Sequence, residues 1–366
     1  MTTARKIALL TYSSKPRGGV VHTLALAEAL AALGHDVHVW TLARGGDTTF
    51  FRPVDPAVTL HPVPFPPIDG EDVGSRILRS IRTLRDAFGP VRAGYDVVHA
   101  QDCISANAAM PCIRTIHHLD TFTTPELAAC HERAVVEPVA RICVSEAVAG
   151  EVRTGWGLRP TVIANGVDAA RFEAAARDEA GRRRWARRLG PYVLALGGIE
   201  PRKGSIDLIE AFALLRRSLP DLRLVFAGGE TLFDYRDYRH EFEERAERLH
   251  VEPEVLGVVD DSRLPSLVAQ AEALAFVSTK EGFGLAALEA LSAGVPVVAR
   301  DLPVLREVFG PTVAYASTPA EIAAALAEAV TSPGTGAAGR DLARGYTWER
   351  AAMDHAAFYE AHLGRR

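Results

Sequence analysis

The sequence has few cysteines and no long apolar run. Its four cysteines show neither a close-spaced pair nor the accompanying histidines of a zinc site, so we expect buried free thiols and a reducing compartment. No segment approaches the roughly 18 apolar residues of a membrane span, and the apolar run after Arg5 and Lys6 is too short for a signal peptide. We therefore expect a soluble, cytoplasmic protein.

Positive charge is not in excess either. Lys and Arg number 41 against 46 Asp and Glu, which gives a net charge of −5. This balance argues against a nucleic-acid-binding protein whose whole surface is basic, and we expect no nucleic-acid partner. An Asp-x-Asp stretch is missing as well. Nothing in the sequence requires a metal ion, so we expect neither a metal site nor a cofactor.

The order of the apolar segments predicts an α/β protein. Short apolar runs alternate with helical stretches, and the alternation restarts after the polar, arginine-rich stretch 167–190. We predict two doubly wound, Rossmann-like domains facing across a cleft: 1–166, a linker over 167–190, and 191–346. The amphipathic segment 347–366 can pack back on the first domain. The predicted strands include 6–11, 95–100, 112–117, 141–145, 161–164 and 274–278.

Two carboxylates flank a glycine turn in the stretch STKEGFGLAALEALSAGVPVV. Glu281 precedes the turn, and Glu289 lies two helical turns beyond it. Gly282 and Gly284 can adopt positive φ and leave room for a ligand at the helix N-terminus. The backbone N–H groups that we expect to meet an anion are those of Phe283, Gly284 and Leu285. The alternative is structural, with Glu281 capping the helix and Glu289 exposed to solvent.

Arg202 and Lys203 form a second candidate site in the stretch GGIEPRKG. They follow a predicted strand and precede a helix, where the helix dipole disfavours cations. A diphosphate group would explain this placement, because Arg binds phosphate in a bidentate manner and Lys supplies a mobile charge. The alternative is a pair of solvated charges at a helix start.

Seven fragments together resemble one family, the retaining glycosyltransferases of the GT-B fold in glycosyltransferase family 4, also called group 1. In chain order they are RGGVVH, TIHHLD, ICVSEAV, VIANGVDAARF, GGIEPRKGSIDLIEAF, LVFAGG and EGFGLAALE. The resemblance covers nearly the whole chain. It implies that Glu281 contacts the donor sugar and that Glu289 binds the nucleotide ribose. One departure is Gly198, which stands where many members of the family have Arg.

The resemblance also implies roles for the N-terminal half. By this resemblance, the loop with Gly18 and Gly19 would approach the donor diphosphate. A dinucleotide-binding loop is excluded, because the G-x-G-x-x-G fingerprint is missing there. A plain connecting turn is the alternative. His117 would hydrogen-bond the transferred sugar and act in catalysis with Glu281, Arg202 and Lys203. Residues that we expect near the acceptor are His22, Asp102, His118 and Asp120.

The implied activity is metal-independent transfer of a sugar from a UDP-, GDP- or ADP-sugar to a hydroxyl group, with retention at the anomeric carbon. The acceptor is a glycan, a lipid-linked molecule or a small molecule, and its identity depends on loops such as 61–70, which we expect to be irregular. Two alternatives stay open. One is a nucleotide-sugar epimerase of the same fold, and the other is a non-catalytic two-domain sugar-binding protein.

A basic helix is predicted over 76–89. Arg76, Arg79, Arg82 and Arg85 lie beside its apolar face. They are either a solvated flank of a packed helix or a surface that attracts an anionic acceptor or the inner face of a membrane. Peripheral membrane contact is thus one of two interpretations.

Overall fold

The computed structural model describes residues 3–45, 48–120, 122, 124–229 and 235–363. The chain divides into two compact units, Met1–Gly166 with Trp348–Arg366, and Val167–Thr347. We call them the N-terminal unit and the C-terminal unit. Each contains one parallel sheet with helices between its strands, as predicted.

The N-terminal unit has a seven-stranded sheet in the order β3-β2-β1-β4-β5-β6-β7. Its strands are β1 (Lys6–Leu10), β2 (Asp36–Arg44), β3 (Val58–Phe65), β4 (Val97–Ala100), β5 (Ile113–Ile116), β6 (Ala140–Cys143) and β7 (Thr161–Val162). Its helices are α1 (Gly18–Ala32), α2 (Val73–Phe88), α3 (Cys103–Ala109), α4 (Pro125–Val136) and α5 (Glu146–Trp156), and the last helix of the chain also belongs to it.

The C-terminal unit has a six-stranded sheet in the order β10-β9-β8-β11-β12-β13. Its strands are β8 (Tyr192–Leu196), β9 (Arg223–Ala227), β10 (Glu254–Val255), β11 (Ala273–Phe276), β12 (Val297–Arg300) and β13 (Ala314–Ala316). Its helices are α6 (Ala169–Arg177), α7 (Glu179–Leu189), α8 (Ser205–Leu215), α9 (Arg236–Arg248), α10 (Leu264–Gln270), α11 (Leu285–Ser292), α12 (Pro303–Phe309), α13 (Pro319–Thr331) and α14 (Ala337–Arg344).

The strand order places a switch point in each sheet. From β1 the chain runs outward to β2 and β3, then crosses to β4 on the other side. From β8 it runs outward to β9 and β10, then crosses to β11. Doubly wound sheets bind ligands at the carboxyl ends of strands beside such points. The loops after β1 and β4, and those after β8 and β11, are therefore where functional residues are expected.

The segment 61–70, expected to be an irregular loop, is in part a strand. β3 (Val58–Phe65) pairs in parallel with β2 over eight residues, from Val58 opposite Val37 to Phe65 opposite Arg44. Pro62 and Pro64 masked the strand pattern in the sequence. They are tolerated because β3 is the edge strand, where alternate N–H groups need no partner.

The stretch 167–190, expected as a linker, forms α6 and α7 of the C-terminal unit. Phe172 on α6 and Trp185 on α7 are buried. The indole N–H of Trp185 donates to the hydroxyl of Ser266 on α10 at 3.1 Å. The arginines of this stretch obscured these few buried apolar positions in the sequence.

The last helix, α15 (Trp348–Leu363), packs on α1 in the N-terminal unit. His355 and Tyr359 are its most buried large residues. Arg5, just before β1, makes a bidentate ion pair with Glu360, with N–O distances of 2.7 and 2.8 Å. The apolar face of this helix therefore covers the core of the N-terminal unit.

Candidate functional site

The predicted glycine turn lies in the C-terminal unit, between β11 and α11. Gly284 precedes the first residue of α11 with a φ of 107°, and a Cβ there would lie 2.6 Å from Cζ of Phe309. Both constraints require glycine. Phe283 is buried and packs edge-to-face on Tyr346, with 5.4 Å between ring centroids. The first N–H groups of α11, from Leu285 on, lack intrahelical acceptors and are the kind of donors that bind anions.

A neighbouring loop brings two cations to this turn. The turn after β8 carries Arg202 and Lys203, and the carbonyl of Arg202 accepts from the N–H of Thr279 at 2.8 Å. Lys203 Nζ lies 2.6 Å from Oε1 of Glu281, and Arg202 Nη1 lies 3.2 Å from the same oxygen. Arg202 Nη2 also pairs with Glu200 at 3.1 Å. The structure therefore brings Arg202, Lys203 and Glu281 together.

The two cations determine the ionisation of Glu281. Burial by itself would raise the pKa of this carboxyl, but the charges of Lys203 and Arg202 outweigh burial and lower the pKa to about 2. Gly282 follows Glu281 in the turn and is buried. Glu281 is thus ionised at neutral pH and holds both cations at the carboxyl edge of the sheet.

We expect Glu281→Gln to lower the free energy of unfolding by about 2 kcal/mol at pH 7, because it leaves two partly buried cations without their shared carboxylate. The folded pKa lies below the unfolded value, so this contribution is present above pH 4.5 and is lost as the pH falls towards 2. Urea denaturation at pH 7 and pH 3 measures it. Glu328→Gln, exposed on α13, is the matched control. An equal loss at both pH values would contradict the ion-pair account.

Glu289 lies further along α11 in a different setting. In the part of the chain that the structure describes, its carboxyl group pairs with no cation, and burial raises its pKa to about 7. Arg171 opposes this shift, but Asp261 holds its guanidinium at 2.8 Å. A partly buried carboxyl group of this kind can accept hydrogen bonds from ligand hydroxyls. The sequence did not indicate Arg171, because its partner is 90 residues away.

A close approach of two loops explains glycine at position 198. A Cβ on Gly198 would lie 2.5 Å from the carbonyl oxygen of Gly229, which is backbone and cannot turn aside. The arginine that is common in the family cannot be placed here without moving that loop. Arg202 and Lys203 lie at this edge and can offer their charges to a ligand.

Two residues expected at the diphosphate belong to the first turn of α1 and not to a loop before it. Gly18 and Gly19 open the helix, so their N–H groups lack intrahelical acceptors. A Cβ on Gly19 would lie 3.6 Å from Cδ2 of His117, which directly follows β5. Gly19 thus leaves space beside the histidine.

His117 is neutral and has an unused nitrogen. Burial lowers its pKa well below the usual range, and His22 adds to the shift. Within the described residues, its buried Nε2 has no hydrogen-bond partner. Depending on its tautomer, a neutral imidazole can donate a hydrogen bond to a sugar hydroxyl or accept one from it.

His22 lies inside the N-terminal unit next to His117. Their rings meet edge-on with 4.7 Å between centroids, and His22 Nδ1 lies 2.8 Å from Oδ1 of Asn165. Burial lowers the pKa of His22 to about 3. Asn165 belongs to the fragment VIANGVDAARF, but the sequence alone did not connect it to His22.

Asp102 caps a helix. Its carboxylate accepts from the N–H groups of Ser105 and Tyr12, both at 2.8 Å, and its pKa is raised by burial. This joins the start of α3 to the loop after β1 and gives Asp102 a structural role. His118 and Asp120 form a partly exposed pair at 2.9 Å. Of the residues expected near the acceptor, this pair is the more accessible.

Three further observations concern metal ligands, membrane-spanning helices and the cysteines. In the described ranges, no cluster of three His, Cys, Asp or Glu residues is arranged to hold a metal ion. None of the helices in those ranges combines the length and hydropathy that crossing a membrane requires. The four cysteines are free, and three of them are buried.

Two family models match the chain. The model described as "Glycosyl transferases group 1" matches residues 182–337, and the model described as "Glycosyltransferase Family 4" matches residues 16–171. The first match contains the cation turn and the glycine turn of the C-terminal unit. The second contains Gly18, Gly19 and His117.

Proteins with established names resemble the chain over most of its length. D-inositol 3-phosphate glycosyltransferase from Jonesia denitrificans is 26% identical, over 98% of this chain and 96% of its own. Sucrose-phosphate synthase from Thermosynechococcus elongatus aligns with a TM-score of 0.78 at 20% identity, over 99% of this chain and 100% of its own. Anabaena HepE in complex with UDP and glucose aligns with a TM-score of 0.74 at 19% identity, over 97% and 99%. These structural similarities concern the fold.

Proposed function

Because the chain belongs to the group 1 glycosyltransferases and is an enzyme with the GT-B fold, we propose that it moves a sugar from a nucleotide-diphosphate sugar to a hydroxyl-bearing acceptor, with retention at the anomeric carbon. The observation that carries the proposal is the cluster of Arg202, Lys203 and Glu281 beside the glycine turn. Two cations next to free helix N–H groups are suited to a diphosphate.

We assign the donor to the C-terminal unit. The diphosphate contacts Arg202, Lys203 and the N-terminal N–H groups of α11. Glu281 accepts from hydroxyls of the sugar, and Glu289 accepts from those of the ribose. The carboxyl group of Glu289 is partly buried and pairs with no cation among the described residues, which supports the second role. HepE, with UDP and glucose bound, supports a nucleotide ligand by analogy.

The C-terminal unit has a cavity large enough to receive the base of the nucleotide. A cavity of about 850 Å³ lies between α9 and the loops after β9 and β10. Its lining includes Gly228, Gly229, Gly257 and the exposed side chain of Val258. The lining also includes charged side chains such as Arg239, Glu243 and Glu247. We propose that the base binds there, and UDP, GDP and ADP are all candidates.

In the proposed step, the bond between the anomeric carbon and the terminal diphosphate oxygen breaks, and its electron pair goes to that oxygen. The acceptor oxygen bonds to the anomeric carbon on the same face, and its proton passes to the departing phosphate. Arg202 and Lys203 stabilise the charge that builds on the diphosphate. Such electrostatic stabilisation is usually the largest contribution to catalysis. Because these cations fulfil the role of a metal ion, we propose metal-independent transfer.

We assign the acceptor to the N-terminal unit and propose that His117 hydrogen-bonds the transferred sugar. The unused Nε2 and neutral state of His117 support this role. The free cysteines suit a reducing compartment, and we propose that the reaction takes place in the cytoplasm.

The proposed function is tested by incubating the protein with UDP-, GDP- and ADP-sugars and a panel of hydroxyl acceptors. We expect release of one nucleoside diphosphate that depends on an acceptor, and a glycoside whose anomeric proton coupling matches the donor. Conversion of the donor to an isomer without any acceptor would show an epimerase instead. Tight binding without nucleotide release, across the whole panel, would show a sugar-binding protein.

A further inference from the structure

A buried arginine lies at the carboxyl end of β12, in the same sheet edge as the cation cluster. Arg300 is the last residue of β12, and only 8% of it is exposed. The roles proposed for Arg202 and Lys203 do not involve it. An arginine seldom occupies a buried position, because removing its charge from water costs free energy unless its N–H groups find acceptors. Its contacts therefore indicate its role.

The guanidinium of Arg300 joins the ends of three segments. Nε and Nη2 donate to the carbonyl of Val277, which directly follows β11, at 3.1 and 2.9 Å. Nη1 donates to the carbonyl of Ser317, which directly follows β13. Nη2 also pairs with Asp207 in the first turn of α8. Because β12 lies between β11 and β13, one side chain binds the carboxyl ends of both neighbouring strands and the start of α8.

The cation turn packs directly on one of these strand ends. Gly204 ends this turn with a φ of 65°. A Cβ there would clash with the carbonyl oxygen of Val277 and would lie 2.9 Å from Nη2 of Arg300. Only glycine allows this approach. The turn that carries the two cations therefore rests on the same carbonyl group that Arg300 holds.

The end of β11 also supports the cations. The ring centroid of Phe276, the last residue of β11, lies 5.5 Å from Nζ of Lys203. Just beyond the strand, the N–H of Thr279 donates to the carbonyl of Arg202 at 2.8 Å. Glu281 follows in the same loop and pairs with both cations. The geometry of the ion pairs thus depends on where the end of β11 lies.

We propose that Arg300 is a positioning residue for the donor site and holds the end of β11 so that Lys203 and Glu281 meet. Buried ion pairs in general add little net stability, so the pairing with Asp207 alone does not account for the arginine. A rigid, planar group that fixes three segments does account for it. That the positioned ion pairs serve a diphosphate rests on the proposed function, whereas the positioning itself does not.

Urea denaturation at pH 7 tests the positioning without any ligand. Glu281→Gln should raise the unfolding equilibrium constant about 30-fold in the wild-type background. In the Arg300→Met background it should raise that constant less than about fivefold, because the cations no longer lie against Glu281. In the described part of the chain Arg300 makes no direct hydrogen bond to Glu281, so without positioning the two changes should act independently. Equal factors in both backgrounds, within about twofold, would overturn the proposal.

Sugar transfer gives a second readout. Arg300→Met should lower kcat by about 10–10²-fold with a smaller change in donor KM, as expected for a residue that acts through Lys203. In the Lys203→Met background it should lower kcat by less than about threefold. A fraction of unfolded protein would lower kcat by the same factor in both backgrounds. Equal reductions would therefore show that Arg300 has only a structural role.

Two further variants decide the question if Arg300→Met does not fold. Arg300→Lys keeps a donor at this position, and Asp207→Asn removes the charged partner of Arg300 on α8. Both should show the coupling to Glu281→Gln with smaller losses. Arg306→Met is the matched control, because it removes an exposed arginine that pairs with Asp301 directly after β12, and it should show no coupling. Coupling as strong for Arg306→Met as for Asp207→Asn would contradict the proposal.

The two readouts separate this proposal from the proposed function. A protein that shows the coupling in urea but transfers no sugar would refute the proposed function alone. A protein that transfers sugar, while Glu281→Gln has equal effects in the wild-type and Arg300→Met backgrounds, would refute the positioning role alone.

Discussion

Lys203→Met is expected to lower kcat for sugar transfer by about 10²–10³-fold, with a smaller change in KM for the donor. Nζ of Lys203 lies 2.6 Å from Glu281 and is held at the edge where the diphosphate is proposed to bind. The charge that it stabilises grows as the sugar–phosphate bond breaks, so its loss affects the transition state more than the bound donor. Met keeps most of the apolar side chain and removes the ammonium group with its charge and its N–H donors.

Controls separate this effect from damage to the fold. Lys203→Arg keeps the charge and should retain more activity than Lys203→Met. Arg217→Met, exposed beyond α8 in the same unit, should leave kcat unchanged. Thermal denaturation confirms that each variant is folded. A folded Lys203→Met enzyme with wild-type kcat would refute the electrostatic role of this lysine.

Glu289→Gln is expected to stabilise the free protein while it weakens nucleotide binding by about 10–10²-fold. Its folded pKa of about 7 lies above the usual 4.5 because burial disfavours the charged form. A raised carboxyl pKa destabilises the fold increasingly as the pH rises from 4.5 to 7. Removing the charge should therefore add up to roughly 3 kcal/mol at pH 8 and much less at pH 5.

The nucleotide affinity of the wild type should rise with pH, whereas its stability relative to Glu289→Gln should fall. Ribose hydroxyls donate best to an ionised carboxylate, so the affinity of the wild type should rise as the pH increases through about 7 and then level off. The affinity of Glu289→Gln should be low and nearly independent of pH. Calorimetric titrations and urea denaturation of both proteins at pH 5 and pH 8 measure the two effects. A variant less stable than the wild type at pH 8 would show that Glu289 has a structural partner.

The fold was largely predictable, because parallel strands are buried on both faces and appear as short apolar runs. The same rule failed for β3, an edge strand with two prolines. It also failed for 167–190, where a few buried side chains such as Trp185 anchor helices that are otherwise charged. In both places the local structure depends on contacts between segments that are distant in the sequence.

The sequence indicated those candidate residues that lie in short segments of recognisable composition, and their functional roles stay predictions. The glycine turn, Glu281, Arg202 and Lys203 lie in two loops with recognisable composition, and the structure joins them by direct ion pairs. Contacts between distant segments were not predictable. Nothing local indicates that Asp102 caps α3 while it holds Tyr12.

The central claim is that the C-terminal unit binds the diphosphate of a nucleotide. Calorimetric titration of the purified protein with UDP, GDP and ADP tests it most directly. We predict that at least one of them binds with micromolar affinity, and that Lys203→Met weakens this binding while Arg217→Met does not. A folded protein that binds none of the three at millimolar concentration would contradict the claim.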